Sequence, residues 1–457
     1  MRIHLLPICL ILAGCMPGSA PDDNATRAYQ PAALSSLPPL KTFSTPAPVQ
    51  PERSNADIAR DFLDLAFRLE SGRDLTVFTR FEEPITVRVT GRAPATLMPD
   101  LTSLIRRLRS EAGIDISLTD APEANITIEA VASREIRHNL PHAACFVVPG
   151  ISDISQYRRA RHSAQASWAL LRSRERLAVF VPADAAPQET RDCLHEELAQ
   201  AIGPLNDLYR LPDSIFNDDN IHAVLTGFDM LILRAYYAPE LANGMSRDAV
   251  ASHLPAILAR LNPEGEDRPA QRPTSTPRNW IDAVQDALGP GTGDADRRKA
   301  ARRALAIAQH LGWQGHRLAF SHYITGRLTA ASDPDAAIGH FRAADRIYAE
   351  TTGTELHRAF VSSQIAAHAI SRGDGRSALA VLTPNLAVAE RHENAALLST
   401  LMMLRAEALE LTGRPSEAAE VRLDSLGWAR YGFGADWAVR AKRREIGALN
   451  PFKEKRG

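Results

Sequence analysis

Several familiar signals are missing from this chain of 457 residues, and each absence narrows what it can do. There is no charge excess: the formal net charge is −1, which gives no reason to expect nucleic acid as a partner. The arginine groups at Arg106, Arg107 and Arg109, and between Arg297 and Arg303, read as solvated helix faces. The first residues offer only a short apolar run, "LLPICLILAG", too short to span a bilayer and about the length of a signal peptide core. The glycine run Gly289-Pro290-Gly291-Thr292-Gly293 lacks the Gly-Lys-Ser/Thr of a phosphate loop and reads as linker. His195-Glu196 opens like a zinc-protease helix, but the second histidine of H-E-x-x-H would fall at position 199, which is Ala199.

With 45% apolar residues, the chain can build two or three domains with proper cores. Arg2 precedes the short apolar run, and the run ends in Leu12-Ala13-Gly14-Cys15. This resembles a bacterial lipobox, which implies cleavage before Cys15 and acylation of its thiol. Met16, not Asp, follows Cys15, so the resemblance implies an outer-membrane anchor facing the periplasm. Several acyl chains hold firmly, since each buried CH₂ contributes about 0.8 kcal/mol. Of the four cysteines, Cys9 would leave with the signal peptide and Cys15 would carry lipid. Cys145 and Cys193 then read as one disulfide, with two separate buried thiols as the alternative.

Composition divides the rest. Residues 1–14 form the signal peptide, and residues 15–54, rich in Pro, Ser and Ala, read as a solvated, disordered tether. Residues 55–262 read as an α+β domain. Asn55 looks like a helix cap, with Ile58, Phe62, Leu65 and Leu69 on one face. "ITVRVTG", "NITIEAVAS" and "ERLAVFVPA" read as strands, and Cys145 opens another. Residues 263–296 read as a linker around the short helix "WIDAVQDAL", and residues 449–457 as a basic tail. From 297 to 448 the chain is nearly all helical. Ala337, Ala378 and Ala418 hold matching places 41 and 40 residues apart, after similar punctuation each time. This resembles tetratricopeptide-type repeats with a long period, and a plain helical bundle is the alternative.

The opening motif fits better one residue later. Metal binding by H-E-x-x-H relies on residues four apart lying about 40° apart around a helix, with the intervening Glu activating a metal-bound water. In the extended form a Gly turns the chain so that a third ligand arrives. Glu196, Gln200 and Asn206 occupy the three ligand positions, Glu197 the general-base position, and Gly203 the turn. "DSIFNDD" follows where a methionine turn belongs, with Phe216 in place of Met. "LTGFDMLILRAYY" resembles a closing helix, with Asp229 near its start and Tyr236 near its end. Residues 55–250 therefore resemble a degenerate metzincin, and they resemble an uncharacterised family of proteobacterial lipoproteins that carries these spacings. The implied fold is a zincin-like α+β domain followed by tetratricopeptide-like helices.

One carboxylate and two carboxamides are hard donors and poor substitutes for three imidazoles, so no zinc cofactor is expected. Calcium held by Glu196, Asn206 and Asp207 is a lesser reading. The expected function is a non-catalytic, lipid-anchored interaction protein with a polypeptide partner of unknown identity. The rival is a periplasmic metallopeptidase with zinc on unusual ligands, needing His195. Otherwise His195 reads as a surface helix residue. His138 and His142 have ligand spacing, but Pro141 between them argues against a helix that could present both.

Overall fold

The structure, a computed structural model, describes residues 37–43 and 49–453. Cys15, the lipobox and most of the expected tether lie outside the described residues. So do residues 454–457 of the basic tail.

Helix α1 (Asn55–Ala66) opens the front domain. Its cap is Ser54, whose side chain accepts from the Asp57 amide, rather than Asn55, which is the first helical residue. Ile58, Phe62 and Leu65 are fully buried, as their spacing predicts. Then follow β1 (Ile85–Gly91), α2 (Leu97–Glu111), β2 (Ile116–Leu118), β3 (Ile126–Val131), α3 (Ser133–Asn139), β4 (Phe146–Pro149), α4 (Ile154–Ala160), β5 (Leu177–Pro182) and α5 (Pro187–Ile202). The five strands form one sheet in the order β2-β1-β3-β5-β4, parallel except for β4, which runs antiparallel to β5 along the edge. β5 is buried on both faces. Leu177, Val179 and Val181 join the main core under the helices, while Ala178 and Phe180 join a second cluster with Ile136, Ile154 and Tyr157 of α3 and α4. α6 (Gly227–Tyr236) and α7 (Arg247–Leu261) complete the domain. A capping box between Thr226 and Asp229 fixes the start of α6.

The segment read as a linker contains α8 (Arg278–Leu288), and this helix belongs to the helical region. Its Trp280 is fully buried and meets the front domain's Tyr209 edge-on at 5.0 Å. Antiparallel pairing then continues through α9 (Asp294–His310), α10 (His316–Thr329), α11 (Pro334–Ala349), α12 (Glu355–Ser371), α13 (Gly375–Arg391), α14 (Ala395–Leu411), α15 (Pro415–Phe433) and α16 (Asp436–Gly447). Ala337, Ala378 and Ala418 each stand fourth in α11, α13 and α15 and are buried against the preceding helix. A small side chain at that place lets each pair close, which gives the region its helical-repeat-like character.

Two readings change. The Pro-rich composition predicts a solvated tether, but residues 37–43 are docked along α15. The Lys41 amide donates to the Gly427 carbonyl at 3.2 Å, and Arg430 donates to the Pro38 carbonyl at 2.8 Å. Phe43 stacks on Trp428 at 4.5 Å, and Lys41 pairs with Asp424. Gly427 is required here, since a Cβ would lie 2.8 Å from the Lys41 side chain and 3.0 Å from the Pro39 carbonyl. Arg107 is likewise not a solvated face. It is buried, paired with Glu111 at 2.8 Å, and donates to the Leu225 carbonyl at 3.0 Å.

Candidate functional site

α5 carries the motif, and the chain holds this helix from several sides. It starts with Pro187 in its first turn, where a missing amide costs nothing. The disulfide Cys145–Cys193 joins its middle to the residue just before β4. Its last carbonyls are capped by the buried Arg174, which donates to Gln200 and Ala201 at 2.8 Å and to Gly203 at 2.6 Å. Tyr237 Oη donates to the Ile202 carbonyl at 2.9 Å. A cation and a hydroxyl at a helix C-terminus satisfy carbonyls that would otherwise be orphaned in the core. Gly203 ends the helix under α6, where a Cβ would lie 2.6 Å from Leu233 Cδ2.

The loop after Gly203 is stapled to α1. The Leu205 amide donates to the Leu65 carbonyl at 3.1 Å, Asn206 Nδ2 donates to the Asp64 carbonyl at 2.9 Å, and Arg210 reaches both Asp61 and Asp64. Farther on, Phe216 is fully buried. Its loop is pinned by Asp229, which accepts from the Ile215 amide at 3.0 Å, the Thr226 amide at 2.7 Å and the Ser214 hydroxyl. Burial raises the Asp229 pKa to about 6 despite these bonds. Tyr236 packs between Phe62 and Phe78 as a core aromatic.

The ligand positions divide. Gln200 points its amide at Glu70, 3.5 Å from Oε1, the outer limit of a hydrogen bond. Asp207 shares a hydrogen bond with Glu70, and Glu196 repels Glu70 and Asp218. Asn206 is instead committed to the Asp64 carbonyl. Glu197 is buried beside Glu196 and Glu70, and its Oε2 has no hydrogen-bond partner. Five carboxyl groups, Glu70, Glu196, Glu197, Asp207 and Asp218, thus gather with none of them in a salt bridge among the described residues. Desolvation and neighbouring carboxyl groups lift all five pKa values, with Glu197 buried, Glu196, Asp207 and Asp218 half-buried, and Glu70 at the exposed rim. Glu196 reaches about 8, and Glu197 and Asp207 lie well above the carboxylate range. A hydrogen bond between two carboxyl groups also needs one of them protonated. At neutral pH this is a partly protonated cluster.

The residues do not fit zinc. The donors near α5 are carboxyl and carboxamide oxygens, Asn206 is engaged elsewhere, and among the described residues no three His, Cys, Asp or Glu side chains are placed to hold one metal ion.

His195 is no surface residue. It is buried, and its Nδ1 accepts from the Leu225 amide at 3.1 Å. Burial, with Arg107 and Arg191 nearby, pushes its pKa well down and keeps the ring neutral. His138 closes α3, which ends before Pro141, and both His138 and His142 are exposed.

The helical region covers this part of the domain. Gln285 of α8 hydrogen-bonds Asp218, and Arg278 acts on it electrostatically. His316 bonds the Tyr209 carbonyl at 2.6 Å, and His357 meets Asp219 at 2.8 Å. At the other end of α5, Arg191 pairs with Glu393 at 2.8 Å, and Gln188 bonds Asn394 at 3.1 Å. Glu70 carries no motif, Asp218 lies in the "DSIFNDD" stretch without being singled out there, and only the fold brings them to α5.

The model of a family described as a protein of unknown function (DUF2927) matches residues 55–256, from the first residue of α1 into α7. Comparison with curated proteins and with solved structures gives no match. The α/β domain that carries the carboxyl cluster is thus similar to a family that is itself uncharacterised.

Proposed function

We propose that this chain is a non-catalytic interaction protein, anchored by acylated Cys15 in the outer membrane and facing the periplasm. Its α/β domain is a degenerate metzincin-like peptidase that has lost zinc, and its helices form a tetratricopeptide-like array that binds a polypeptide. One observation carries the reading: of the three positions where zinc ligands would stand, Glu196 joins a cluster of carboxyl groups, Gln200 offers only a carboxamide toward Glu70, and Asn206 is committed to the Asp64 carbonyl. Glu197, its pKa pushed up by burial and by Glu196 and Glu70, stands beside no set of donors suited to hold a zinc-bound water for it to activate. The packing of α8 against Asp218 and of α15 against α5 agrees with a helix that serves as part of the folded core.

Metal analysis of the purified chain, together with Glu197→Gln, tests the proposal. The expected result is zinc far below one equivalent and a biological activity unchanged by the substitution. Stoichiometric zinc with a peptidase activity abolished by Glu197→Gln would replace this reading with a working metallopeptidase.

A further inference from the structure

The last helix presents a face that the fold does not use. Val439 and Ile446, seven residues apart, form the buried stripe of α16. On the opposite side stands Trp437, 72% exposed. Arg440 and Arg444 follow it by three and seven residues and so share its side of the helix, with exposed Arg443 beside them. Arg440 comes only within 3.8 Å of Asp436, and no acid among the described residues pairs with Arg443 or Arg444. An indole left in water on the same helix as the unpaired guanidinium groups of Arg443 and Arg444 gains nothing for folding. At a bilayer surface the same arrangement is favourable, because tryptophan settles at the headgroup level and arginine meets lipid phosphates.

The segment docked on α15 reaches this helix as well. Residues 37–43 run along α15, with Pro38 held by Arg430. Arg430 in turn approaches Asp436, the residue before Trp437, at 3.9 Å. The docked segment therefore lies close to the start of α16.

We propose that the α16 face formed by Trp437, Arg440, Arg443 and Arg444 docks on an anionic lipid surface. This deepens the anchoring reading above, because a lipidated N-terminus and this face would meet the same membrane, but the docking itself needs no acyl group. Anionic lipid is favoured over an acidic protein because the exposed centre of the face is a single indole flanked by cations.

The test uses the full chain carrying Cys15→Ser, so that no acyl group contributes. It is sedimented at low salt with vesicles of phosphatidylcholine alone or with 30% phosphatidylglycerol, a composition chosen to give roughly the surface charge of an anionic leaflet. Expected are binding to the anionic vesicles only, weakening with added salt, and a blue shift in tryptophan emission. Arg440→Ser/Arg443→Ser/Arg444→Ser should lower partitioning by about tenfold or more. Trp437→Ala should lower it several-fold and remove the blue shift. Circular dichroism and thermal midpoints of both variants should match the parent, since these side chains are exposed. Equal binding to both vesicle types, unchanged binding by the triple variant, or no binding at low salt would each overturn the proposal, the last leaving an acidic protein as the partner. If the Cys15→Ser chain binds vesicles while the wild-type chain is not membrane-bound in cells, the anchoring reading fails and the α16 assignment stands.

Discussion

Raising the pH should destabilise this protein over a range where most proteins are indifferent. The Glu196 carboxyl is lifted from about 4.5 to about 8 by burial and by Glu70 and Asp218. An acid with a raised folded pKa binds its proton more tightly when folded. Its contribution is therefore fully present below the unfolded value and is lost as the pH climbs through the folded one. Histidines work in the opposite direction, and the two effects must be separated. His222 is lowered to about 4 and His316 to about 3, so the unfolded chain takes up protons that the folded one refuses, and stability falls as pH drops below about 6.5. At pH 6.5 half of the unfolded imidazoles are still charged, and only above about pH 7.5 are the histidines neutral in both states, so that the raised carboxyls, Asp192 among them, act without opposition. One extra proton held by the native state gives a slope of at most about 1.4 kcal/mol per pH unit, and for a group titrating at about 8 a fall of about 0.8 kcal/mol between pH 7.5 and 9. Glu197 and Asp207, raised in the same direction, can only steepen it. Urea unfolding followed by circular dichroism across that window should show a falling midpoint, and Glu196→Gln should flatten the slope by about one proton's worth. A cation bound among these carboxylates would keep them ionised and remove the fall. Stability that is flat or rising from pH 7.5 to 9, or an unchanged slope in Glu196→Gln, would refute the protonated-cluster argument.

Breaking the disulfide by Cys145→Ser/Cys193→Ser should lower stability by up to about 4 kcal/mol in the loop-entropy model, given the 48-residue separation. Two alkylatable thiols in denatured, unreduced protein would show that the bond does not form. Arg191→Ala strands the buried Glu393 carboxylate, a loss of about 3–5 kcal/mol for a broken buried pair. Calorimetry should then resolve separate transitions for the α/β domain and the helical region, and one unshifted transition would mean the pair does not couple them. Cys15→Ser should move the chain from the membrane fraction to the soluble one, and an unchanged, unprocessed membrane-bound chain would end the anchor reading.

Periodicity made the one-sided elements legible. Ile58, Phe62 and Leu65 report the buried face of α1, and Ile85 and Val87 that of β1, because each has one wet side and one dry side. α5 defeats the same logic. From Leu194 to Ile202 every residue but Glu196 is buried, since β5 and β4 lie on one side, α2 on another and α15 on a third. A helix enclosed on all sides has no polar face to read, so His195 looks like a surface residue when taken alone. Composition fails in the same way at residues 37–43. Prolines remove amide donors and suggest solvation, yet the carbonyl of Pro38 and the amide of Lys41 find partners on α15 that no local pattern encodes. Glu70 and Asp218 were beyond sequence reasoning for a different reason: their role exists only where three distant segments meet.

The bend after α5 does not depend on the carboxyl cluster it encloses. In a metal-dependent peptidase the ion itself would tie the residues after the turning glycine to the motif helix. Here Arg174 gathers the carbonyls of Gln200, Ala201 and Gly203, Asn206 and Leu205 bond to α1, and Arg210 bridges Asp61 and Asp64. His316 and His357 hold the next stretch from the helical side. None of these contacts passes through Glu196 or Glu197. The loop geometry is therefore imposed by the scaffold, and the two glutamates are free of any duty in holding it. Substituting them by glutamine keeps size and removes charge in a frame that stays in place, so what changes is the protonation chemistry of the cluster and not the shape of the loop.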